Sequence, residues 1–404
     1  MNLKLKALMA AGFFIGALSY CTHKPTVEEK SQAKGQWQAK MMVLSQTLSR
    51  LLPLTASPRT FNDLKNDGEI TKDIKELASM AHAVDEMKVK PSDDPSLTFM
   101  AERFSENMNE AVQQIDRGNR RYARFLVRQS TAYCIGCHTR TDQGRENMKL
   151  SSAANLTGLS TLERADYFIA VRDYDRALNE FDKLINSPDA QIESPQTLEV
   201  AAEKALAVAV RVKKNPNLAK ELVARIIDAK WAPVYLRMNA LAWKRTIEDW
   251  EKNEPKSKLS SKGQLRMAKD FLNRGWKKTS NSPQSQAGLV YFLRASTVLH
   301  DLLGRSSSDP NYADALYYAG LAAESLRDIN LWTLHEAYYE SCIRTKPYTQ
   351  LAKKCYLRLE ALQLSAYSTY EGTFVPAQVR DRLRELRSMA DKGDGKFLDW
   401  GFVE

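Results

Sequence analysis

From Gln36 onward, apolar residues return every three or four positions, the period of an amphipathic helix. The pattern predicts four helices in the first part of the chain. The first covers about 36–52, carries Leu44, Leu48, Leu51 and Leu52 on one stripe, and stops at Pro53. Met41 falls on that stripe, while Met42 points with Ser45 and Ser49 to the polar side. A second covers 60–84 with a break near Gly68, and a third follows Pro95 over 96–116. The fourth starts at Asn119, with Tyr122, Phe125, Leu126 and Tyr133 marking its buried face. The short connections around Pro91 and at Arg117-Gly118-Asn119 suit an antiparallel bundle. Residues 21–34 lack periodicity and read as a linker. After Gly144 the composition turns to Ser, Asn and Leu, which marks a domain boundary before a second helical region over 155–390 and a tail over 391–404. The expected class is all-α: a four-helix domain over 35–148, then helical repeats.

The second region has its own periodicity. Phe168, Tyr174, Ala177, Phe181 and Leu184, closed by Pro188, resemble a tetratricopeptide repeat, with small residues where two helices touch and aromatics in the gaps. Ala323, Leu326, Tyr339, Cys342 and Pro347 form a weaker match. Helical stretches between them fit an α-solenoid without the consensus, and such an array implies a surface for a protein or peptide. His300 and His335 read as structural, and Trp231, Trp243, Trp250, Trp276 and Trp332 as packing residues. No phosphate loop, nucleophile elbow or paired-carboxylate signature stands out, so the reading is not an enzyme.

The chemistry sits at the end of the fourth helix, in Cys134-Ile135-Gly136-Cys137-His138. Two thiols three apart followed by an imidazole are what covalent haem attachment needs: two thioethers, then a ring nitrogen for the iron. The expected cofactor is therefore one haem c, held by Cys134 and Cys137 with His138 as proximal ligand. Zinc would need a second ligand pair, and His23, His82, His300 and His335 sit alone. A redox CxxC pair would need a βαβ context, which is absent.

A four-helix bundle with CxxCH near the end of its last helix resembles the cytochrome c′ superfamily, including its methionine-ligated members, over about residues 34–145. The resemblance implies that haem lies within the bundle and that a helix-one side chain occupies or blocks the distal side. On Trp37-Gln38-Ala39-Lys40-Met41-Met42 this makes Met41 the distal candidate. Core filler at Met41 with five-coordinate iron is the alternative, and Met80 or His82 come behind. Thr139-Arg140-Thr141-Asp142 lacks the aromatic that the family commonly has after the motif histidine, so the propionate side does not carry over. Arg120, Arg121, Arg124 and Arg128 form either a solvated face or a docking patch for an acidic redox partner.

The N-terminus speaks to compartment. Lys4 and Lys6 precede an apolar run from Ala7 to Tyr20, an export signal over 1–20 too short to remain as a membrane span. Leu18-Ser19-Tyr20-Cys21 resembles a lipobox, with Tyr20 in place of the usual small residue; ordinary cleavage is the alternative. With Cys134 and Cys137 assigned to haem, Cys342 and Cys355 lie on either side of the Lys346-Pro347-Tyr348 turn and could pair, or remain buried thiols. Cys21 is then left over, which favours lipidation and a membrane anchor. Loss of the signal removes two lysines and no acids, so the formal charge of +10 becomes +8. That excess suits an acidic partner or anionic lipid and, without an aromatic-basic platform, not nucleic acid. The sum is an exported, periplasmic electron-transfer cytochrome with a repeat domain for docking; the alternative is a haem-bearing scaffold or sensor for redox state or a small gas.

Overall fold

A computed structural model describes residues 26–87, 92–140, 155–186, 193–254, 259–279, 285–326, 333–369 and 372–391. Among these, sixteen α-helices and one short hairpin, Ser368–Thr369 with Gly372–Thr373, make an all-α protein. No described helix is long and apolar enough to cross a membrane. The export signal, Cys21, His23, Pro188, Trp332 and residues 392–404 lie outside the described residues.

Helix α1 (Val27–Leu54) begins well before Gln36, so residues 27–34 are helical and not linker. A capping box explains it: the Thr26 hydroxyl accepts from the Glu29 amide, and the Glu29 carboxylate accepts from the Thr26 amide at 2.6 Å. Lys30 adds an ion pair to Asp93 at 2.9 Å. Helix α2 (Pro58–Asn62) and a 3₁₀ turn at Leu64–Asn66 separate α1 from α3 (Asp67–Asp85), so the break expected at Gly68 falls one turn earlier. Helix α4 (Pro95–Asp116) is capped by Asp94 and α5 (Arg120–His138) by Asn119. Helix α1 lies on α3, α3 on α4 and α4 on α5, enclosing Leu51, Ile70, Ile74, Met108 and Val127.

The face of α5 differs from the expected one. Ala123, Leu126, Val127 and Ser130 are buried at helical spacing, while Tyr122 and Phe125 stack on each other in solvent. Three of the four arginines bind other parts of the chain, while Arg121 is exposed. Arg124 Nε donates to the Thr55 carbonyl at 2.7 Å, Arg128 reaches the same carbonyl at 3.2 Å, and Arg120 bonds Asp67 and the Phe61 carbonyl. They serve backbone carbonyls that the ends of α1 and α2 leave without helical donors. Ser45 is buried as well, against the expectation that it faces solvent with Met42.

Helices α6 (Thr161–Ala170), α7 (Tyr174–Asn186), α8 (Pro195–Ala207), α9 (Pro216–Asp228), α10 (Val234–Asn253) and α11 (Ser261–Thr279) follow. Then come α12 (Leu289–Leu303), α13 (Tyr312–Leu326), α14 (Leu334–Thr345), α15 (Gln350–Ala366) and α16 (Ala377–Ala390), most of them lying against the next. The interior is filled: a Cβ on Gly275 would overlap the Phe292 ring, and one on Gly320 the Tyr339 ring. A disulfide joins Cys342 on α14 to Cys355 on α15, with Cα atoms 6.4 Å apart. Trp243 and Trp250 are buried, whereas Trp231 is exposed and does not pack the interior. Trp276 is half exposed and donates to Ser325 at 3.0 Å.

The two groups of helices meet along a polar seam. Asp94 holds His300 Nδ1 at 2.8 Å, Tyr338 lies 3.2 Å from that nitrogen, and the Tyr312 hydroxyl donates to the Asp93 carbonyl at 2.5 Å. Burial pushes His300 down to about 4 in spite of its carboxylate partner.

Candidate functional site

Cys134, Cys137 and His138 occupy the last turn of α5, where residues three and four apart share a side. That side opens into an apolar cleft of about 1180 Å³, measured to the surrounding atoms and including its mouth. Helix α1 supplies Trp37, Met41, Leu44 and Leu48; α3 supplies Leu77 and Val84; α4 supplies Leu97, Met100 and Phe104. Ala170 and Arg172 reach in from the turn after α6.

Both thiols are reduced, with Cys137 Sγ 3.6 Å from Met100 Sδ and Cys134 Sγ 3.8 Å from the Ser130 carbonyl. Burial pushes Cys134 up to about 12 and Cys137 up to about 11, the latter against the pull of Arg140 and Arg172. Both are neutral thiols at pH 7, poor nucleophiles and poor metal ligands as they stand. His138 is buried and pushed down to about 3, first by burial and then by Arg172. The carbonyls of Ile169 and Ala170 face its ring and favour its protonated form, yet Nδ1 closes no hydrogen bond. The Tyr174 hydroxyl donates to the His138 carbonyl at 2.9 Å and ties the end of α5 to α7.

The donor set can be tested against two occupants. A compact ion needs convergent ligand atoms, and among the described residues the group of three that meets this is His82, Asp85 and Glu86, away from the motif. The two sulfurs and the imidazole do not close on one point. A haem asks for separated sulfurs, a neutral imidazole with a nitrogen to spare and apolar walls, and these residues fit it.

Of the distal candidates, Met41 lines the cleft from α1, half-buried. Met80 does not line it, and His82 is exposed on α3, so neither is brought to the motif. Sequence reasoning missed Met100, Ser45, Lys34 and Arg172. Met100 and Ser45 lie on correctly anticipated helices, where the period alone could have placed Met100 among the inward positions. Arg172 left no local signal, because it arrives from a helix beyond residues 141–154. Comparison with known proteins finds no match: no family model, no curated protein and no solved structure corresponds to this chain.

Proposed function

We propose that the protein is an exported c-type cytochrome in which a four-helix haem domain is joined to an α-solenoid that docks a partner. One observation carries the reading: a CxxCH segment lies at the wall of an apolar cleft whose opposite helix offers a methionine. When bound, haem supplies a one-electron couple. The chain's residues do the rest. Cys134 and Cys137 would tether the group, His138 would hold its iron, and Leu44, Leu48, Leu77 and Phe104 would exclude water from it. Met41 is the distal ligand in this reading, and a thioether there favours the reduced state. The solenoid is a binding surface for a redox partner, which the basic chain suits if that partner is acidic. The signal over 1–20 and lipidation at Cys21 would place it on the periplasmic side of a membrane.

Changing both Cys134 and Cys137 to Ala tests the assignment. Haem staining of the denatured protein should vanish; staining equal to the parent chain ends the proposal. Carbon monoxide separates the two functions, because a sixth ligand from Met41 blocks it, while an open site, as the sensor alternative requires, takes it up.

A further inference from the structure

The turn after α6 breaks a local rule. Arg172 N–H bonds the Ile169 carbonyl at 3.0 Å and Asp173 N–H the Phe168 carbonyl at 2.7 Å, the pair that closes a Schellman cap. The residue between cap and next helix is then left-handed, and Arg172 has φ 61°. Glycine is the default there, and a side chain costs about 1 kcal/mol or more. Arginine in such a place suggests that its side chain has a task.

Its surroundings say which task. Arg172 lines the cleft that holds the motif, although it belongs to the second group of helices. The same turn leads into Tyr174, whose hydroxyl donates to the His138 carbonyl at 2.9 Å. Lys34 is a second cation at the cleft, on α1. An otherwise apolar cleft with guanidinium and ammonium groups on its lining suits a flat apolar ligand that carries carboxylates.

We infer that the α6–α7 turn completes the cofactor site, with Arg172 as the positioning residue that pairs with a propionate carboxylate of the haem. The inference rests on the cytochrome reading and extends it: the second group of helices takes part in the redox centre instead of only docking a partner. A paired guanidinium offsets negative charge near the iron, so it raises the reduction potential.

The test uses the full chain carrying its haem, with Arg172→Gly, which keeps the left-handed backbone and removes the charge, and Arg172→Lys, which keeps the charge. Midpoint potentials are measured by spectroelectrochemistry, and covalent haem is checked by staining. Arg172→Gly should stain like the parent, keep its axial spectrum and show a lower potential, and Arg172→Lys should recover most of the difference. An unchanged potential in Arg172→Gly, or one equally low in Arg172→Lys, overturns the inference and leaves the cytochrome reading intact. A parent chain without covalent haem overturns both.

Discussion

Helices α1 to α5 and helices α11 to α15 solve the same packing problem in opposite ways. In the latter, rings press onto glycines: Phe292 covers Gly275 and Tyr339 covers Gly320 so closely that no Cβ fits. In the former, Leu44, Leu48, Leu77, Met100 and Phe104 belong to the buried core and also line a cleft beside it. The contrast separates a region filled by its own side chains from one whose core keeps an apolar cleft.

Filling the cleft should break the contrast most sharply. Ala101→Phe puts a ring into it from α4, and the expected result is loss of most covalent haem with the helical content kept. Normal haem content would mean that the cleft is not the cofactor's seat. In the filled region, removing the Cys342–Cys355 bond by double Ser substitution should lower stability by at most about 3 kcal/mol, as a short closed loop implies. Denaturant melts should register this in α14 and α15 while the haem spectrum stays as it was.

Gly320→Ala comes next. Overpacking against Tyr339 should cost about 2 kcal/mol. The same added methyl at Ser45, as Ser45→Thr, faces the cleft and should cost far less. Equal losses at the two positions would erase the distinction between the regions.

The seam between the regions gives an effect that depends on pH. His300 is pushed down to about 4 from an ordinary 6.5, and Asp94 is held below its ordinary 3.8 by His300 and Ser96 against its own burial. The imidazole faces Asp94 and Tyr338 and feels the charges of Arg140 and Arg211. As pH falls from about 6.5 toward 4, the unfolded chain binds a proton that the folded chain refuses, so stability declines, by on the order of 3 kcal/mol. Above pH 6.5 this contribution is fully present. His300→Asn should flatten the slope between pH 6.5 and 4.5 in thermal melts; an unchanged slope would place the titrating group elsewhere.

The same two regions differ in how readable they were. The helical class, the positions of α4 and α5 and the inward stripe of α1 follow from a 3.6-residue period and from Pro95 and Asn119 as boundaries, all of them local facts. The early start of α1 was missed because Val27–Lys34 is polar, and only the Thr26–Glu29 box marks it. Tyr122 and Phe125 misled because aromatic size was weighted above register, and the buried stripe runs through Ala123, Leu126, Val127 and Ser130. The motif was legible as chemistry, since its residues are consecutive. Of its wall, Met41 was legible on the α1 stripe, whereas Met100 and Arg172 were not, because they reach the cleft from α4 and from the turn after α6.

The optical spectrum of the purified full chain, oxidised and reduced, with and without carbon monoxide, tests the central claim most directly. The account predicts a covalently bound haem c whose reduced bands do not change with carbon monoxide in the parent and do change in Met41→Ala, with a lower potential in that variant. A chain made in a host that attaches haem to CxxCH, yet showing no haem bands, would contradict it.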